Sequence, residues 1–134
     1  MYQAPLKAYD KVSRSTMNGR EVEAAVLTKA AVKLKQCQSD WDKPDRDAQL
    51  NAALKFNQRV WSIFQAEIDR RENPLPEGLK INLLRLSAFI DKRIFEIMAY
   101  PTPEKLTILI NINNNIAAGL RSSRTSQLET AAAA

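Results

Sequence analysis

The chain has 134 residues, 45% of them hydrophobic and 26% charged, which is the make-up of one soluble globular domain with a core large enough to need no metal or disulfide. It has no histidine and one cysteine, so the commonest general base, the commonest zinc ligand and an internal disulfide are all excluded. The net charge of +5 and a pI near 9.5 suit acidic partners, but the cations are spread along the chain and read as a solvated basic surface.

With only three glycines and an excess of Ala, Leu, Lys, Arg and Gln, the composition favours helix throughout. A short, weakly amphipathic helix is expected from about Pro5 to Thr16, with Tyr2, Leu6, Tyr9 and Val12 or Ser13 along one side. The N-terminus lacks the basic start and apolar core of a signal peptide, and a cytoplasmic protein is expected. Asn18 and Glu21 then stand at cap and capping-box positions for a helix from about Gly19 to Gln38. Its stripe is Val22, Val26, Ala30, Leu34 and Cys37 or Gln38, which makes Cys37 a small core residue rather than a reactive thiol.

Four carboxylates fall between Asp40 and Asp47, yet the segment has neither the turn glycine nor the late glutamate of an EF-hand loop. They read as caps and first-turn charges facing a positive helix end, with Trp41 closing over the bundle end. A long helix follows from about Asp45 to Arg71, stopped by Asn73-Pro74-Leu75-Pro76. The next, about Pro76 to Ala99, carries Leu79, Leu83, Leu86, Ile90, Ile94 and Ile97, widened by Leu84, Phe89 and Met98. A helix apolar on so much of its circumference is either central or contacts a partner on a second face. Thr102 and Pro103 open the last helix, expected to end near Leu120, and residues 122–134 read as a flexible tail.

Two stripes hold an amide where an aliphatic would fit. Asn57 lies among Leu50, Ala53, Leu54, Val60, Trp61 and Phe64; Asn113 lies among Leu106, Leu109, Ile110, Ile116, Ala117 and Leu120. An amide on an apolar face needs a partner, either inside the fold, where it fixes register, or on another chain. The run Asn111 to Asn115 holds four asparagines, poor residues for a helix interior, and reads equally as a polar flank or a hydrogen-bonding groove edge. Asp91 with Glu96, and Glu67 with Asp69, are not spaced to share a helix face, and no nucleophile, phosphate-loop or metal motif occurs, so no enzyme is expected.

At this point the chain resembles a known family. Gly19-Arg20-Glu21-Val22-Glu23-Ala24-Ala25-Val26-Leu27-Thr28-Lys29-Ala30-Ala31 and Leu54-Lys55-Phe56-Asn57-Gln58-Arg59-Val60-Trp61-Ser62-Ile63-Phe64-Gln65 look like early and central motifs of the flagellar biosynthesis regulator FlaF family. Asn73-Pro74-Leu75-Pro76, Asn82-Leu83-Leu84, Pro101-Thr102-Pro103-Glu104-Lys105-Leu106 and Ile112-Asn113-Asn114-Asn115-Ile116-Ala117-Ala118-Gly119-Leu120 follow in the family's order. The similarity covers about Tyr2 to Leu120; Asn114 and the tail beyond Arg121 depart from it. It implies a cytoplasmic export chaperone of alphaproteobacteria that binds flagellin, acting opposite the regulator FlbT.

The expected architecture is all-α: one helical bundle over residues 1–121, of four main helices plus a short N-terminal one. The expected client is flagellin, through its amphipathic terminal helices, with FlbT as a second candidate partner and no membrane or cofactor. Asn57, Arg59, Trp61, Phe89, Ile112, Asn113 and Ile116 are the candidate recognition surface. A rival from another class is an RNA-binding regulator of flagellin expression, which the basic pI favours and the scarcity of aromatics and of RNA-binding motifs does not. A third is a purely structural oligomerisation bundle.

Overall fold

A computed structural model describes residues 19–70 and 72–133, with side chains as far as residue 122. The expected N-terminal helix and the Asn18 cap lie outside the described residues. Four α-helices and one 3-10 turn, with no strand among the described residues, make the protein all-α.

The helices are α1 (Gly19–Ser39), α2 (Arg46–Asp69), α3 (Glu77–Ala99) and α4 (Leu106–Ala133), with Pro103–Lys105 forming the 3-10 turn ahead of α4. The proline-marked boundaries fall where the sequence puts them. Pro103 opens a tight turn before α4, and Asp45 is the N-cap of α2, although its carboxylate accepts from Gln49 Nε2 at 2.7 Å and not from a helix amide. The last helix differs from expectation. It does not stop near Leu120 but runs on to Ala133. Beyond Leu120 the sequence has no proline or glycine to end a helix, and it closes on four alanines, the best helix formers.

α1 is the hub. It lies along α4 and also packs on α2, while α3 leans on α2 and touches α4 only marginally. Two contacts fix α1 and α4 as antiparallel neighbours. Gln38 Nε2 donates to the Pro103 carbonyl (2.8 Å) and to Thr107 Oγ1 (2.9 Å), and Arg121 Nη2 donates to Thr28 Oγ1 at 3.1 Å. Short connections make α1–α2 and α2–α3 antiparallel too, giving an up-down-up-down bundle. Leu27, Leu34, Leu54, Trp61, Ile90, Ile97, Leu106 and Leu109 are the large sealed side chains of its core. Cys37 belongs to this core, and burial, followed by the Asp40 carboxylate, pushes its thiol up from the ordinary value. Trp41 packs against the core at one bundle end, with the Arg46 guanidinium 4.5 Å above its ring.

The broad apolar surface of α3 is divided between two environments. Ile90, Ile94 and Ile97 are buried, while Ile81, Phe95 and Met98 on its outer side are exposed, Phe95 to 75%. A helix packed on one neighbour has room for one buried stripe only. α3 is therefore an edge helix, not a central one.

Candidate functional site

The two amides singled out in the sequence are partners of each other. Trp61 Nε1 donates to Asn113 Oδ1 at 2.8 Å, and Asn113 Nδ2 donates to Asn57 Oδ1 at 2.6 Å. All three side chains are at most 1% exposed. The chemistry sets the direction of the chain of bonds. An indole N–H can only donate, so Asn113 must present its oxygen to Trp61, its nitrogen then faces Asn57, and Asn57 must answer with oxygen. The Asn57 Nδ2 ends the chain with no hydrogen-bond partner among the described residues. This triad joins α2 to α4 through side chains across the interior, and its polar atoms require one register of the two helices.

Beside the triad the bundle is open. Because α3 barely touches α4, a cleft of about 440 Å³ remains at the end where α1 begins and α2 finishes. Trp61 forms its floor, stacked edge-on against Phe64 with ring centres 5.7 Å apart. Leu75, Leu79 and Leu83 line the α3 side, and Ile116, Gly119 and Leu120 the α4 side. The loop that carries Leu75 is set by Asn73, whose Nδ2 donates to the Glu67 carbonyl and whose Oδ1 accepts the Leu75 N–H, both at 3.0 Å. Among the described residues, a β-carbon placed on Gly119 would meet nothing within 4 Å, so this glycine leaves space in mid-helix.

One rim of the cleft is charged. Arg20 and Glu23 come from the first turns of α1 and Glu67 from the end of α2. Burial first, then the nearby Glu67 carboxylate, drives Glu23 up to about 7, partly offset by Arg20. The half-buried Glu23 carboxylate therefore shares this rim with a second carboxylate, which disfavours its charge, and with the Arg20 guanidinium, which favours it.

The candidate residues fall into three groups. Trp61 and Ile116 line the cleft. Asn57 and Asn113 are sealed behind it and spend their amides on the triad. Arg59 is exposed, Phe89 is exposed beneath Arg93, and Ile112 is half-buried against the core, none of them lining the cleft. Sequence reasoning missed Leu75, Leu79, Leu83, Gly119 and Leu120 as a group. Gly119 carried the available signal, since a glycine within a helical stripe weakens the helix unless space is wanted there.

The site is thus an apolar cleft at one end of a small all-α bundle, lined in part by Trp61 and rimmed by Arg20, Glu23 and Glu67. Residues 5–120 match the family described as flagellar protein FlaF, and the chain belongs to that family. No curated protein and no solved structure matches it. No helix among the described residues is long and apolar enough to cross a membrane.

Three outcomes follow from this geometry. Asn113→Ala strands the Trp61 N–H and the Asn57 oxygen and leaves a void, and should cost about 2–4 kcal/mol in urea unfolding. Asn57→Ala removes an acceptor but also an orphaned amide nitrogen, and should cost about half as much. Glu23 binds its proton more tightly folded than unfolded, so the native state loses stability as pH rises from about 4.5 to about 7. Glu23→Gln should therefore match the wild type near pH 4 and exceed it at pH 8, by about 1–2 kcal/mol once partial exposure is discounted, as read by thermal unfolding at both pH values.

Proposed function

We propose that this protein holds flagellin before export by accepting a flagellin terminal helix in the cleft between α3 and α4, and so couples flagellin synthesis to flagellum assembly. The observation that carries the reading is the apolar cleft itself, in a chain that belongs to a flagellar family. An engineered cavity of about 150 Å³ holds one benzene-sized group, so 440 Å³ has room for roughly three apolar side chains. That is the number an amphipathic helix presents along two turns, at i, i+3 or i+4, and i+7.

The energetics suit a complex that must be released. Three buried anchors contribute roughly 5–9 kcal/mol. Ordering a disordered client segment costs about 2–5 kcal/mol or more, before the cost of association itself. The small surplus fits a holdase whose client leaves at the export gate. Burying the client's apolar stripe would also block its premature polymerisation in the cytoplasm, where this reading puts the protein. The role needs no catalysis, cofactor or nucleic acid.

Calorimetric titration should find flagellin bound, and binding weakened at least tenfold when its terminal helices are removed; equal affinity for truncated flagellin rejects the groove. Gly119→Leu places a side chain into the empty space without deleting a core contact. It should leave the fold as stable or stabilise it, since leucine is the better helix former, while reducing flagellin affinity about tenfold.

A further inference from the structure

α3 leans on α2, and the described residues leave its outer side uncovered. Ile90, Ile94 and Ile97 face the core, while Leu79 and Leu83 line the cleft. Away from both runs a second row: Ile81, Leu84, Ala88, Asp91, Phe95 and Met98. Its spacing alternates three and four residues, the heptad repeat by which one helix packs along another. Phe95 is 75% exposed, Met98 47% and Ile81 44%; Ala88 and Asp91 are exposed too, and Leu84 is half-buried. An isolated exposed apolar side chain is ordinary, but a heptad row of them is a contact surface.

The row is complementary to itself when reversed. It has apolar pairs at both ends, Ile81 with Leu84 and Phe95 with Met98, and Ala88 with Asp91 in the middle. Set antiparallel on a second copy, Ile81 meets Met98, Leu84 meets Phe95 and the small Ala88 leaves room for Asp91. Each contact then occurs twice, as two-fold symmetry requires.

The charges agree with that direction. This side of α3 carries Lys80, Arg85 and Lys92 against Glu77, Asp91 and Glu96, while Arg93 is turned onto Phe89. The face is therefore neutral in a chain of net charge +5, so it is a place where a second copy is not repelled. Its first half, with Glu77, Lys80 and Arg85, is net positive, and its second half, with Asp91, Lys92 and Glu96, is net negative. Among the described residues no ion pair holds Arg85, Asp91 or Lys92. An antiparallel copy places each Arg85 between the other's Asp91 and Glu96. A parallel copy sets Arg85 on Arg85 and Asp91 on Asp91, which costs affinity.

We infer that two copies of this chain associate antiparallel through the outer faces of α3. The cleft residues lie elsewhere on the helix, so the inference stands apart from the client reading, and the pair presents two clefts. The row is about 27 Å long, a small contact, so association in the micromolar range is expected.

Sedimentation equilibrium of the full chain should show the mass rising with concentration from that of a monomer to twice that value. Phe95→Asp changes a mostly exposed side chain, so it should keep the wild-type thermal stability and weaken association about tenfold or more. Val32→Asp, on the exposed side of α1, should leave association unchanged. A chain that stays monomeric at every concentration, a dimer that survives Phe95→Asp, or one that Val32→Asp abolishes overturns the inference. Direction is read separately by disulfide trapping, with Cys37 replaced by alanine. Under mild oxidation, Ile81→Cys and Met98→Cys proteins should link to each other when mixed, well above the linking of either to itself. Self-linking that equals the mixed product, or no linking, contradicts the antiparallel pair.

Discussion

The Trp61 indole N–H sets the terms for the rest of the molecule. Trp61 lies 1% exposed in the core, so its indole N–H needs an acceptor inside the fold. Asn113 supplies it, and the remaining half of that amide demands a second acceptor, which Asn57 supplies. A slide of α4 along α2 by one turn would replace Asn113 with Leu109 or Ala117 and orphan all three groups. Hydrophobic burial alone would tolerate such a slide, since leucine and isoleucine fill the stripe on either side. The triad removes that freedom, at the cost of leaving Asn57 Nδ2 without a partner among the described residues.

A bundle held across its interior by a polar bridge does not require all four sides to close. α4 is anchored to α1 by packing and by the Gln38 and Arg121 bonds, and to α2 by the triad. α3 can consequently stay on α2 and leave α4 free on its side, and the gap between them is the cleft. Trp61 has two roles at once: its N–H secures the register and its ring floors the opening. This ties the stability of the fold and the shape of the cleft to the same residue, so weakening the triad should disturb both.

The helices were legible in the sequence because their signals are local. Pro74, Pro76 and Pro103 bracket the connections, and the stripes through Leu27, Leu54, Ile90 and Leu109 identify the buried faces. The extension of α4 beyond Leu120 was not, because a Ser/Thr-rich stretch with no apolar stripe looks like a tail even when nothing in it breaks a helix. Asn57 and Asn113 announced that each needed a partner, but which partner depends on how helices 56 residues apart are placed, and no spacing rule carries that. The cleft was least legible. Leu79 and Leu83 read as ordinary core positions and become cleft wall only because α3 sits at an edge. Phe89, prominent in the sequence, instead faces solvent under Arg93.

The two tryptophans sit at opposite ends of the bundle, Trp61 on the cleft floor and Trp41 beside Arg46 at the far end. Their two indole N–H resonances therefore provide a site-specific reporter and an internal control in one spectrum. On adding a flagellin terminal-helix peptide, the account predicts a saturable shift of the Trp61 resonance with Trp41 unmoved. A peptide that binds while Trp61 stays still, or that moves Trp41 instead, would show that the client is received elsewhere and that the opening beside α3 is not its site.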